Sequence, residues 1–280
     1  MTPAILCSMA GRLYLCATPI GNLEDASPRL SRTLAEVDVV YAEDTRRTAK
    51  LLAALGVTAE LRSFFVGNER RRVADVAADL ATGRDVALVT DAGSPAVSDP
   101  GAAAVAAARQ VGAEVIVVPG PSAVVAAVMG SGMVQGRFVF EGFLERKGRD
   151  RSQQLHRIAA SDAPTVLFLS PHRAVADVEA LAEACGSDRQ VCVARELTKV
   201  HEELWWGSLD QLAGRWRDDP PRGEITLVIA GAGAVPPDIE RGLEMARRLM
   251  SEGKTASAAA REAAEATGVP RRQIYDRLVR

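Results

Sequence analysis

Histidine, paired-cysteine motifs, long apolar runs and an excess of either charge are all scarce in this chain. Only His156, His172 and His201 occur among 280 residues, and no His-Glu-x-x-His pairs them, so zinc-hydrolase chemistry lacks its ligands. The four cysteines, Cys7, Cys16, Cys185 and Cys192, show neither CxxC spacing nor nearby histidine partners. They read as reduced thiols acting as small core residues, and no metal site is expected. The formal net charge of -2 excludes a wholesale basic binder of the histone kind. Any nucleic-acid surface must be a local patch. No apolar stretch approaches the roughly 20 residues of a membrane helix. The opening MTPAILCSMAG lacks a basic n-region, and its apolar part is short for a secretory signal. The expected location is the cytoplasm, away from membranes.

Familiar catalytic signatures are absent too. The Gly253-Lys254-Thr255 triplet carries Arg248 where a phosphate loop needs its first glycine. GAGAVP after the last apolar run resembles half a dinucleotide fingerprint, but prolines follow where a helix should begin. No GxSxG elbow occurs, which speaks against an α/β-hydrolase.

What is present is an alternation of short β-branched runs and amphipathic segments, the mark of a mainly parallel sheet covered on both faces. RLYLCA, VDVVYA, DVALVT and EVIVV read as strands, with a further strand near Leu61 to Phe65. Ser27 caps a helix that has Pro28 at its first position. Further helices are predicted over Thr45 to Leu55, stopped by Gly56, and over Glu69 to Ala81. Another is predicted from Pro100 to Val111, with Ser98 to Gly101 capping it. A second α/β unit has strands at RFVFEGF, TVLFL, QVCVAREL and EITLVIAG, with helices near Asp150 to Ala160, His172 to Ala184 and Ser208 to Trp216. Beyond a linker at GAGAVPPD, three short helices follow. The last two, joined through Gly268, fit a helix-turn-helix or equally a helical cap with a basic face. The expected organisation is an N-terminal α/β domain over 1–120, a second over 121–235 and a helical tail over 236–280.

Ligands of open α/β sheets bind at the carboxyl ends of strands. Four loops rich in turn-formers sit at such ends: ATPIGNLED, YAEDTRRT, TDAGSPAVSDPG and VPGPSA. Each alone is a plausible turn; four at one sheet edge indicate a site.

These loops, with EGFL, ARELTK and the GE before the last strand, resemble the ribosomal RNA small subunit methyltransferase I family, a branch of the tetrapyrrole methylases. The similarity runs from Arg12 to Gly231, and the helical tail also fits. The resemblance implies two α/β domains with S-adenosylmethionine between them, and a homodimer. It further implies 2'-O-methylation of a cytidine ribose in 16S ribosomal RNA of the 30S subunit. Carried over by position, Asp91, Ala92, Gly93, Ser94 and Pro95 border the methyl donor, and Pro119, Gly120, Pro121 and Ser122 lie along it. Thr18, Pro19, Ile20, Gly21 and Asn22 face the same cleft. Phe168 and Leu169, with Ala194 and Arg195, are expected over the adenine. The chain departs from the family's common pattern at Gly67-Asn68-Glu69, where relatives often have His-Asn-Glu.

Methyl transfer to a 2'-hydroxyl is an in-line displacement that needs positioning and a proton acceptor. Glu43, Asp44 and Glu69 are the candidate acceptors. Each also fits a carboxylate favoured by a helix N-terminus. Arg46 and Arg47, with Arg146, Lys147, Arg149 and Arg151, are the candidate contacts to RNA phosphates. The same residues leave two other readings open: a methyltransferase for a tetrapyrrole or other small molecule, and a ligand-sensing nucleic-acid-binding regulator.

Overall fold

A computed structural model of the chain describes residues 10–233 and 239–279. Cys7 and the linker stretch 234–238 lie outside the described residues.

The first unit runs β1 (Arg12–Cys16), α1 (Pro28–Glu36), β2 (Val39–Ala42), α2 (Thr45–Ala54), β3 (Leu61–Ser63), α3 (Glu69–Ala81), β4 (Val86–Val89), α4 (Ala102–Gln110) and β5 (Glu114–Val118). Its strands lie in the order β3-β2-β4-β1-β5, and every pairing is parallel. Both faces of the central strands β2 and β4 are dry, as continuous β-branched runs require. Leu13, Val39, Tyr41, Val86 and Leu88 pack under α3 and α4, and Cys16, Val40, Ala87, Val89 and Val118 pack under α1 and α2. Burial pushes the Cys16 thiol up to about 12, which leaves it an inert core group. Local signals set the helix ends. The Ser27 hydroxyl accepts from the Leu30 amide at 3.0 Å, and Gly56 takes the left-handed conformation, φ +68°, after α2.

The second unit contains α5 (Ala123–Ser131), β6 (Val139–Phe143), α6 (Gly148–Ala160), β7 (Thr165–Leu169), α7 (Ala174–Cys185), β8 (Gln190–Arg195), β9 (Glu203–Ser208), α8 (Leu209–Asp218) and β10 (Ile225–Ile229). Its order is β6-β7-β10-β8-β9. Only β6 and β7 pair in parallel; β10 and β9 run antiparallel to their neighbours. Two elements here escaped the sequence reading. Helix α5 is apolar all round, so it has no amphipathic period to detect. It closes one face of the sheet through Val124 and Ala127. Strand β9, ELWWGS, is an edge strand that passes directly into α8 through a capping box at Ser208 and Gln211. Ser208→Ala is expected to cost about 1 kcal/mol, measurable as a lower urea midpoint with unchanged slope.

The tail folds as α9 (Ile239–Ser251), α10 (Ala256–Thr267) and α11 (Arg271–Leu278). It buries a core of its own that includes Leu243, Ala246, Ala260, Val269 and Ile274. Gly268, φ +70°, turns α10 into α11.

Candidate active site

The four loops do leave one edge of the parallel sheet, after β1, β2, β4 and β5. Strand β1 lies between β4 and β5, so the chain's direction of winding reverses at the β1–β4 boundary, where open α/β sheets form a crevice. Here the loops are zipped together. The Thr18 amide donates to Gly93 O at 2.8 Å, and the Gly93 amide donates back to Thr18 O at 3.1 Å. The buried Thr18 hydroxyl donates to Thr90 O at 3.2 Å. Gly93 sits at φ +76°, a conformation that favours glycine.

The neighbouring acids are mostly spoken for. Asp91 Oδ1 accepts from the Asp44 amide at 3.0 Å, and Glu43 Oε2 accepts from the Asp91 amide at 3.3 Å. Asp44 caps α2 by accepting from the Arg46 amide at 2.8 Å, and its carboxylate also pairs with the Arg46 side chain at 2.7 Å. Those bonds to Arg46, side chain first and amide second, hold the Asp44 carboxyl well below the usual carboxylate range. Glu69 Oε1 accepts from the Gly101 amide at 3.1 Å. All three expected proton acceptors thus accept backbone hydrogen bonds, and only Asp44 does so at the start of its own helix.

Between this edge and the second sheet lies a cavity of about 380 Å³. Ile20, Ala92, Gly93, Ser94 and Ser122 line it from the first unit's loops, and Phe168 and Leu169 line it from the end of β7. A second recess shares Ile20, Ala92 and Glu224 and adds Thr18, Pro19, Gly21 and Asp91, with Arg47, Lys50 and Lys199 also lining it. The remaining expected residues border neither space. Asn22 accepts from the Glu24 amide, and Pro95 is buried behind its loop. Pro119, Gly120 and Pro121 carry the crossover into α5; a Cβ on Gly120 would come within 3.0 Å of the Ala17 Cβ. Ala194 is buried on β8, and Arg195 pairs with Glu203 at 2.8 Å. Their register partners on β10, Thr226 and Ile225, line the cavity in their place.

The sequence reading also passed over Val97, Ser98, Asp99, Phe143 and the Gly223–Thr226 stretch, all of which line the cavity. Ser98 does not cap α4. Gly101 is the N-cap, without a side-chain bond. Ser98 adopts φ +63°, and its hydroxyl lies against Gly142 of β6. Asp99 makes no hydrogen bond or ion pair among the described residues. Burial, then Glu43 and Asp91, push its carboxyl up to about 6.

Of the basic residues, Arg46 and Arg47 are 87% and 63% exposed, and Arg146, Lys147 and Arg149 are exposed. Arg151 departs from expectation. Its side chain is 17% exposed and pairs with the buried Asp177 at 2.8 Å, and it also donates to Glu145 O at 2.8 Å. It is an internal tie between α6 and α7 rather than a surface contact. Among the described residues no cluster of His, Cys, Asp or Glu could hold a metal ion.

Residues 12–213 match the family described as Tetrapyrrole (Corrin/Porphyrin) Methylases, and residues 236–280 match the RsmI C-terminal HTH domain. The chain is 45% identical to the ribosomal RNA small subunit methyltransferase I of Synechocystis sp., over 95% of this chain and 96% of that one. It is 42% identical to the same-named protein of Mycobacterium bovis, over 96% and 95%. The uroporphyrin-III-C-methyltransferase of Thermus thermophilus shares the fold, with a TM-score of 0.57 and 21% identity over 79% of this chain and 94% of that one. Fold and cleft define an S-adenosylmethionine-dependent methyltransferase of the tetrapyrrole methylase type. Within that class, the chain belongs to the ribosomal RNA small subunit methyltransferase I family.

Proposed function

We propose that this enzyme methylates the 2'-hydroxyl of a cytidine ribose in 16S ribosomal RNA, acting in the cytoplasm on the small subunit or its RNA. One observation carries the reading: the cleft has two adjoining spaces, of which only the second is lined by basic side chains. The larger is lined by Ile20, Val97, Phe143, Phe168 and Leu169 with the carboxylates of Asp99 and Glu224, and it has no Lys, Arg or His among its lining residues. That lining suits a cationic ligand with an aromatic base, and its size lies in the usual range for small-molecule sites. The smaller recess carries Arg47, Lys50 and Lys199 beside Asp91 and Glu224, which puts basic groups within reach of nucleic-acid phosphates.

S-adenosylmethionine fits the larger chamber, where it supplies an electrophilic methyl carbon. Ile20 and Ala92 to Ser94 would hold it from one side, and Phe168, Leu169, Ile225 and Thr226 from the other, with Ser122 at the crossover. Gly93 lets backbone approach without a side chain in the way. Arg46, Arg47, Arg146, Lys147 and Arg149 would hold RNA, together with Lys50. The domain limits that go with this reading are 1–120, 121–235 and 236–280. A homodimer is part of it, supported by exposed Val117, Val125, Met129 and Trp206 around α5; Trp206 is fixed there by donating to Ser131 O at 2.9 Å.

Labelled methyl donor offered separately to unmodified 30S subunits, naked 16S RNA and a porphyrinogen tests the reading. Label in RNA, mapped to one cytidine ribose by mass spectrometry, is expected. Label confined to the porphyrinogen would move the enzyme to small-molecule acceptors, and tail binding to duplex DNA with no methyl transfer would make it a regulator. The double change Arg46→Ala, Arg47→Ala is expected to leave donor affinity intact. It should weaken RNA binding and reduce the slope of log affinity against log salt by about 1 to 2.

A further inference from the structure

We propose that Asp99 is the proton acceptor for the ribose 2'-hydroxyl, a role that rests on the RNA-methylation reading above. A general base needs a free lone pair facing the reacting group. At this edge of the sheet each of the other acids already has a partner. Glu43 and Asp91 accept from backbone amides, Asp44 is held by Arg46, and Glu69 is held by the Gly101 amide. Glu224, across the chamber, pairs with Lys199 at 3.0 Å. Asp99 alone of these six lines the donor chamber without a partner.

The backbone fixes it there. Ala96 and Ser98 both occupy the left-handed region, at φ 66° and 63°, each at a cost of about 1 kcal/mol for a residue with a Cβ. The Ala96 amide donates to Pro100 O at 3.3 Å, closing a tight loop around Asp99. Glu69 pins the next residue but one by accepting the Gly101 amide. Strain kept at a cavity wall with no partner for the side chain it presents indicates a functional constraint.

The charges acting on Asp99 are Glu43 from the β2–α2 turn and Asp91 from its own loop, both negative. Arg47 lies beyond them, 3.4 Å from Asp91. Burial and these two neighbours bring the carboxyl to about 6, where a base is both largely deprotonated and strong at neutral pH. In the step itself the 2'-oxygen forms its bond to the methyl carbon. The carbon–sulfur bond breaks with its electron pair left on sulfur, and the hydroxyl proton passes to the Asp99 carboxylate.

Asp99→Asn keeps the shape and removes the basicity. Single-turnover methyl transfer to unmodified 30S subunits, between about pH 5 and pH 8, is read beside calorimetric donor affinity. With the donor saturating, the expected result is a rate loss of at least about a hundredfold, beyond any fall in donor affinity from removal of the charge. The parent rate should climb about tenfold per pH unit and level off at or below about 6, since the bound donor's positive charge favours the carboxylate; that inflection should be missing in the variant. A variant with the parent's rate, or with the same inflection, overturns the role. A loss of donor affinity that accounts for the whole rate loss also overturns it, making Asp99 a seat for the donor's positive charge. A parent chain that labels no RNA at any pH overturns the RNA reading itself, and the role with it.

Discussion

Gly93→Val is expected to weaken S-adenosylmethionine binding by at least about a hundredfold, close to 3 kcal/mol, while the chain stays folded. Two effects combine. Gly93 sits at φ +76°, where a β-branched residue is strained by about 1–2 kcal/mol. The backbone cannot rotate away, because both its polar groups are tied to Thr18. A Cβ alone is tolerated, meeting Ile20 Cγ2 at 3.5 Å and Pro121 O at 3.9 Å. The two γ-methyls of valine have no such space and must enter the chamber or displace Ile20, itself a wall residue. Gly93→Ala separates the effects, since it adds the strain without the methyls. It should therefore lose stability comparably and affinity much less. Calorimetry of donor binding beside thermal unfolding measures both, and an undiminished affinity in the valine variant would place the donor elsewhere.

Sequence carried the first unit further than the second, for physical reasons. Helices α1 and α3 have local start signals, Ser27-Pro28 and a glutamate at the first turn, and strands β2 and β4 are uniformly apolar because both faces of a parallel sheet are dry. Four loops at one edge followed from strand direction alone. The second sheet is mixed, so sequence order no longer says which ends share an edge. Ala194 and Arg195 are expected over the adenine, whereas the residues paired with them across the ladder, Thr226 and Ile225, line the cavity. That is a matter of long-range register, which composition does not encode. Arg151 looked like its basic neighbours until Asp177, 26 residues on, claimed it. Asp99 was hidden behind a plausible local role, the start of α4. Glu69, 32 residues earlier, serves the Gly101 amide in its place and leaves Asp99 without that duty.

Asp99→Asn is expected to make the protein more stable at neutral pH even as it removes activity. The folded carboxyl lies at about 6 against an ordinary 3.8, because burial and the charges of Glu43 and Asp91 disfavour ionisation. For a carboxyl raised in this way, the native state gains from the protonated form. That gain is fully present below about pH 4 and is lost as pH rises through about 6. Above that window the ionised side chain costs on the order of 2 kcal/mol, after discounting for partial exposure. Asparagine carries no charge, so the variant should unfold a few degrees above the parent near pH 7.5, and the two should converge at about pH 4. Denaturant midpoints at both pH values measure it. A variant less stable at both would mean that the carboxylate has a stabilising partner in the native state, and that its poise has another origin. A gain confined to neutral pH, together with a slowed reaction, would identify Asp99 as a charge held at a cost in stability for the sake of chemistry.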